Sequence, residues 1–222
     1  MSKINPFVEN FVKSGVLKPP PIIDAFKKID RANFVPKELK DNAYINEPLP
    51  IGEGQTISQP YTVAFMIELL QPNKGDKIFE IGFGSGWQTA ILAHIVSQNG
   101  NKKSKIKNQN LGKVYAVERV PELFRFGRYN IAKYNFIKKG IVKTIGGDAI
   151  FGLKRHAPFD KIIAAASGEK IPTVWLEELK IGGRLVAPIK ESIWLYIKTA
   201  KDKFSKKEFP GFVFVSLVSD IK

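Results

Sequence analysis

The sequence predicts an α/β fold: a doubly wound, mostly parallel sheet, preceded by a helical extension and closed by an antiparallel strand pair. Three observations carry that expectation. From Asp76 onward short apolar runs alternate with longer helix-patterned ones, the first of these runs enters a glycine-rich turn, and the last two strand-like runs follow each other with no helical pattern between them. Parallel neighbours need a crossover, usually a helix, whereas a short link joins only antiparallel ones.

At the N-terminus, "NPFVENFVKSG" and "PPIIDAFKKIDRANFV" set apolar residues at helical spacing, with Gly15 and the Pro19 to Pro21 run as punctuation, and predict two short helices. "AYINEPLPIGEGQT" is rich in Pro and Gly and reads as irregular, up to a helix that starts at Pro60 in "PYTVAFMIELL". Then come the strand "DKIFEIG", the helix "GWQTAILAHIVSQ", the strand "KVYAVE", the helix "PELFRFGRYNIAKYNF" and the strand "IVKTIGGD". "FDKIIAAAS" supplies a fourth strand, "PTVWLEEL" a helix and "GRLVAPI" a fifth strand, while "IWLYIKTA" and "EFPGFVFVSLV" make the terminal pair. Asn99 to Lys113 is an Asn/Lys tract between helix and strand, longer than the ~2 to 6 residues usual there, and reads as a mobile loop. Residues 1–75 are therefore expected to form an extension packed on a core of residues 76–222, the two making one integrated domain.

Composition removes several classes of chemistry. With no cysteine there are no disulfides, thiolate metal sites or thiol nucleophiles, and His94 and His156 alone supply neither a metal cluster nor a histidine-based triad. No metal is expected. No apolar run approaches the roughly 18 residues of a membrane span, and "MSKINPFVENFVKSG" lacks the cationic and apolar regions of a secretory signal, so a cytoplasmic, monomeric protein without a membrane partner is the expectation. The net charge of +14 would suit phosphate attraction, but much of it sits in "NGNKKSKIKNQNLGK" and "KTAKDKFSKKEF", which read as solvated loops, so no specific nucleic-acid partner is expected. His94, His156, Trp175 and Trp194 read as packing or surface residues.

Ligands of an open parallel sheet bind outside the carboxyl ends of its strands, where the connections diverge. The first core strand ends in "EIGFGSGW", with Gly82, Gly84 and Gly86 spaced GxGxG; glycines let backbone approach a ligand, and the helix that follows offers unsatisfied N–H groups. A dinucleotide fingerprint would be GxGxxG, and here Trp87 follows Gly86. Preceded by the acidic Glu80, the loop resembles the first motif of class I S-adenosylmethionine-dependent methyltransferases, which implies a Rossmann-like core and that Glu80, Gly82, Gly84, Ser85 and Gly86 hold the methionine part of that cofactor. Glu118, closing "VYAVE", stands 32 positions beyond Gly86 (118 minus 86) and could accept both ribose hydroxyls. Asp148, in "GGDA", could meet the adenine amino group, with Ala149 beside it.

The stretch "PLPIGEGQTISQP" is the more specific signal. Together with "IFEIGFGSGW", "VYAVE", "GDA", "APFD" and "GGRL", in that order, and with "RANFVP" upstream, it resembles the protein-L-isoaspartate O-methyltransferase family from Arg31 to Val186. That resemblance implies methyl transfer from S-adenosylmethionine, leaving S-adenosylhomocysteine, to the free α-carboxylate of L-isoaspartyl residues in damaged proteins and peptides. It also implies Ser58 as the active-site residue, with Thr56, Ile57 and Gln59 as the peptide-binding wall. Such a carboxyl, with a pKa near ~4, is ionised at neutral pH and needs no general base, which agrees with the scarcity of His and Cys. A bland reading of Ser58 or Gln59 is that one of them caps the helix at Pro60. Phe83, Trp87, Ala149, Lys190 and Ser216 depart from the family pattern, and Ala149 and Lys190 are expected to add side chains at the pocket rim. Two rivals remain at this point: a nucleic-acid or other-substrate methyltransferase, against which "AAAS" stands where amino-methylating enzymes carry an Asn/Asp-Pro-Pro-aromatic motif, and a non-catalytic cofactor-binding adaptor.

Overall fold

Residues 5–98 and 111–217 are described by the computed structural model. The N-terminal part contains α1 (Phe7–Lys13), α2 (Pro20–Lys28), β1 (Leu49–Gly52), β2 (Gln55–Ile57) and α3 (Pro60–Leu70). The core follows as β3 (Lys77–Ile81), α4 (Trp87–Val96), β4 (Lys113–Glu118), α5 (Pro121–Ala132), β5 (Val142–Gly146), β6 (Phe159–Ala164), α6 (Thr173–Glu177), β7 (Leu179–Ile189), β8 (Ser192–Ala200) and β9 (Lys203–Pro210). Helices α2, α3 and α5 each start with a proline, whose fixed φ suits the first helical turn and whose missing N–H is no loss there.

Among the described residues, seven strands form one sheet in the order β5-β4-β3-β6-β7-β8-β9. The pairs from β5 to β7 are parallel, and β7–β8 and β8–β9 are antiparallel. Strands β3, β4 and β6 are buried on both faces, as continuous apolar runs such as "KIFEI" and "KVYAV" require. Helix α4 is apolar nearly all round because it lies between the sheet, at β3 and β4, and α2 of the extension. One hydrophobic cluster accordingly runs from Phe7 and Phe26 through Ile67 and Leu92 to Leu195. No helix of the described residues is long and apolar enough to cross a membrane. The Asn/Lys tract lies outside the described residues from 99 to 110.

Two segments differ from the sequence expectation. "PLPIGEGQTI" is not irregular: β1 and β2 pair antiparallel, with Glu53 (φ 52) and Gly54 (φ 66) making a tight turn with two positive-φ residues. Its Pro and Gly content disguises a two-stranded ribbon. The last strand is also displaced toward the N-terminus. "KFSKKEFP", whose lysines suggest a solvated loop, is the edge strand β9, paired to β8 from Ala200↔Lys203 to Ser192↔Pro210. Lysines are a normal defence of an exposed edge. "GFVFVSL" leaves the sheet and runs back beside the loop after β6, with the Ser167 N–H donating to the Val215 carbonyl at 2.9 Å.

Helix α5 crosses the turn after β3 at a glycine. A Cβ on Gly127 would run into the Gly84 carbonyl oxygen and come within 2.7 Å of the Phe83 ring. Gly86, at φ +84, would bring a Cβ within 2.7 Å of Ile131 on the same helix. The interlock leads to a stability prediction. Gly127→Ala should destabilise by about 3 kcal/mol through overpacking, lowering the melting temperature by roughly 6 to 12 °C. Gly146→Ala, whose added carbon meets nothing closer than 4.0 Å, should stay within about 2 °C of the parent.

Candidate functional site

The strand order reverses between β3 and β6: β3 connects through α4 toward β4 on one side, while β6 lies on the other. An open sheet binds ligands outside the carboxyl ends at such a point. The glycine turn sits there, held to β4 by Gly82 N–H to the Val117 carbonyl at 2.9 Å, and Ala165, one residue past β6, donates to the Ile81 carbonyl at 3.0 Å. The cleft is lined on one side by Glu80, Gly82, Gly84, Ser85 and Gln88, and on the other by Thr56, Ile57 and Ser58. Thr56 and Ser58 also line an adjoining cavity of about 270 Å³, which Gln59 borders as well. Ile57 is 3% exposed and belongs to the hydrophobic cluster.

The three strand-end acids are near one another but differently engaged. Glu80 is fully buried on β3, where burial pushes its carboxyl up to about 7 and the nearby Glu118 adds to the rise. Its Oε1 accepts from Gln88 Nε2 at 3.1 Å, and its Oε2 makes no hydrogen bond of normal length, although the buried Thr89 hydroxyl is near enough to favour the ionised carboxyl. Such an atom is expensive to leave without a full hydrogen bond, and a donor entering the cleft would complete it. Glu118 accepts from the backbone N–H groups of Gly84 (2.9 Å), Arg119 (2.9 Å) and Val120 (3.0 Å), so it fastens the glycine turn to the end of β4. Of the roughly four acceptor directions of a carboxylate, one stays open, and holding two ribose hydroxyls would require a backbone bond to be shared. Asp148 caps the 3₁₀ turn Ala149–Phe151 through the Ile150 N–H, and its second oxygen lies 3.5 Å from the Arg119 guanidinium. Ala149 is a buried core residue, 6% exposed, whose carbonyl accepts from Trp175 Nε1 at 2.8 Å.

The lead-in from β2 to α3 is positioned by Arg31, which the sequence reading passed over. This guanidinium is fully buried. It donates to five carbonyls, those of Ala43, Ile45, Glu47, Ile57 and Ser58, at 2.8 to 3.5 Å. The Trp87 ring, at the first position of α4, lies 5.4 Å from its central carbon. Ser58 thus contributes its carbonyl to the scaffold, and α3 has no side-chain cap from Gln59. Asn46 caps the helix instead: its Oδ1 accepts from Tyr61 N–H at 2.9 Å, and its carbonyl accepts from Gln59 Nε2 at 2.9 Å. The capping role considered for Ser58 or Gln59 falls away for that reason. Arg31 was visible in "RANFVP" only as a lone basic residue, and nothing in the local pattern announces carbonyls up to 27 positions away.

The sequence model of the family Protein-L-isoaspartate(D-aspartate) O-methyltransferase (PCMT) matches residues 2–222. The chain belongs to that family. The protein-L-isoaspartate O-methyltransferase of Methanopyrus kandleri is 37% identical over 217 residues, covering 96% of this chain and 90% of the relative. That of Flavobacterium johnsoniae is 43% identical over 202 residues, covering 90% and 86%. A solved structure described as a putative protein-L-isoaspartate O-methyltransferase from Plasmodium falciparum, in complex with S-adenosyl-L-homocysteine, has the same fold, with a TM-score of 0.82 at 24% identity over 98% of this chain and 99% of that one.

Two departures from the family pattern, Phe83 and Trp87, are explained by packing. Phe83 is 4% exposed against Phe124 at 5.7 Å, and Trp87, 1% exposed, donates to the Ile29 carbonyl at 3.2 Å and meets Phe7 and Phe26 edge-on. Lys190 lies in the β7–β8 turn at φ 52, a conformation a glycine takes without strain, and its side chain is largely exposed beside Glu169. Ala149, being buried, does not project at the rim in the way the sequence suggests. Ser216 bridges Ser167 next to the cleft.

Two tests follow from this electrostatic picture. Glu80 ionises near 4.5 when unfolded and near 7 when folded, so its contribution to stability is present below pH 4.5 and lost as the pH rises through 7. Glu80→Gln should therefore raise the melting temperature of the cofactor-free chain at pH 8 and leave it unchanged at pH 4.5. At pH 8 the gain is on the order of 3 kcal/mol, or roughly 6 to 12 °C. Arg31→Met should do the opposite at every pH, costing about 3 to 5 kcal/mol because it orphans buried carbonyls. Differential scanning calorimetry reads both.

Proposed function

We propose that the cleft moves a methyl group from S-adenosylmethionine to the free α-carboxylate of an L-isoaspartyl residue in a damaged protein or peptide, with Ser58 orienting that carboxylate. The observation that carries this reading is the shared wall: Thr56 and Ser58 border both the glycine-loop cleft and the cavity beside it. Donor and acceptor then meet across one hydroxyl-bearing segment.

The residues present fit the cofactor. Glu80 Oε2, buried and without a hydrogen bond of normal length, suits the ammonium of a methionine moiety, and the turn of Gly82, Gly84, Ser85 and Gly86 offers backbone close to it. Glu118, with one open acceptor direction, and Asp148 with Ala149 beside it would hold the adenosine part. When bound, S-adenosylmethionine supplies an electrophilic sulfonium methyl and leaves as S-adenosylhomocysteine. Ser58 would donate a hydrogen bond to one carboxylate oxygen, while Thr56, Ile57 and Gln59 shape the wall against which the peptide lies. No proton need be removed, because the acceptor is already anionic at neutral pH. The task is alignment, for which a segment fastened by Arg31 is suited.

In this reading residues 1–75 carry the substrate segment and residues 76–222 the cofactor turn, and the two work as one domain because a single hydrophobic cluster joins them. The site is complete within one chain, which supports a monomer. A chain without cysteine draws nothing from an oxidising compartment, which supports a cytoplasmic setting.

Labelled methyl from S-adenosylmethionine should appear on an isoaspartyl peptide as a base-labile ester and not on its aspartyl twin. Label on both peptides, or on neither, contradicts the assignment. Ser58→Ala should lower kcat about 100-fold through misalignment with cofactor affinity unchanged by calorimetric titration. Unchanged turnover would remove the hydroxyl from the reaction.

A further inference from the structure

Beyond Ser58 the cavity does not end. Pro48, Gln59, Thr62 and Val213 line both the 270 Å³ cavity beside Ser58 and a second one of about 700 Å³, so the two form one trench. The floor of its far part is aromatic. Tyr61 and Phe65, one turn apart on α3, stack with ring centroids 6.1 Å apart. Phe212 stacks on both, at 6.5 Å and 5.1 Å, and Phe209 meets Phe65 edge-on at 5.3 Å. All four rings remain partly exposed. Val213, at the junction of the two cavities, is 87% exposed.

We propose that this aromatic shelf is a subsite for an apolar side chain of the substrate, carried a few residues to one side of the isoaspartyl residue. The proposal rests on the function assigned to Ser58 above. Its occupant follows from continuity: a chain presenting its α-carboxylate at Ser58 has the cofactor cleft at one end of the trench and the shelf at the other. Only one flank of the peptide reaches the rings. Stacked aromatics and an exposed valine gain most from an apolar partner, since burial of apolar area is the force such a surface offers. The lining carboxylate, Glu208, is already engaged by Ser192 Oγ at 2.7 Å. The shelf exists because β9 ends at Pro210 and the chain turns back over α3, bringing Phe212 to rings fixed on the helix.

The test is a set of isoaspartyl peptides in a Gly/Ala background with a single Leu or Phe moved from three residues before to three residues after the isoaspartyl position. KM should fall about tenfold for positions on one flank only, with kcat constant. Phe212→Ser should abolish that difference while methylating the plain peptide as the parent does. Equal KM across the series overturns the subsite and leaves the methyl transfer intact, whereas no ester on any peptide defeats the functional assignment itself. A gain on both flanks also overturns it. If Phe212→Ser changes the sedimentation coefficient and not the KM difference, the rings are a contact between two copies of the chain, and the proposal fails.

Discussion

A buried cation with no carboxylate partner among the described residues holds the site together. Burial lowers the pKa of Arg31 to about 10, which leaves it charged at neutral pH. The cost of removing that charge from water is offset by five carbonyl acceptors and an aromatic face. A lysine could not replace it, since one ammonium has three donors and no planar fork to reach carbonyls on both sides. Through these bonds the turn at residues 43–47, the end of β2, the Ser58 carbonyl and the head of α4 become one rigid unit. The Thr56–Ser58 wall and the glycine-turn wall of the cleft are thereby fixed relative to each other.

The acids at the strand ends serve three separate purposes despite their similar placement. Glu118 spends most of its acceptor capacity on the glycine turn, Asp148 caps a 3₁₀ turn with one oxygen and sets the other, buried without a hydrogen bond, 3.5 Å from Arg119, and Glu80 keeps a buried oxygen with no hydrogen bond of normal length. The unsatisfied carboxylate is a strain that the empty protein bears and that a cationic ligand relieves, which couples ligand binding to stability.

Most of the fold was legible because local pattern and global role agree along β3 to β7: continuous apolar strands, proline-initiated helices and a glycine turn at the first strand end. Legibility failed where a residue's reason lies far away in sequence. Gly127 looks like a blemish in a helix until the Gly84 carbonyl is found against it. Asn46 caps a helix that begins 14 residues later, and Arg31 answers to carbonyls that no periodicity connects. The β9 edge failed for a different reason: charge on an edge strand and charge in a loop look alike, because both face water. The Ser58 segment was read through family likeness, since hydroxyls before a helix fit a cap equally well; the structure assigns that cap to Asn46.

The two histidines bear on the kind of catalysis this scaffold favours. His94 is occupied with Asp24 at 2.8 Å, between α4 and α2, and His156 stacks on Tyr115 at 4.4 Å with its carbonyl bound by Lys77 at the amino end of β3. Neither lines the cleft at the carboxyl end of the sheet. A reaction that removed a proton would need such a group within reach, and the polar groups that share these two cavities with Ser58 are instead glycine backbone, Thr56, Gln59, Thr62, Ser85, Gln88 and the buried Glu80. The polar capacity of the site goes into holding geometry. An anionic acceptor and a cationic donor attract each other without help, so what the protein must add is the angle and distance at which they meet. Arg31, Gly127 and Asn46, none of them chemically reactive, are the residues that hold the segments around the cleft in place.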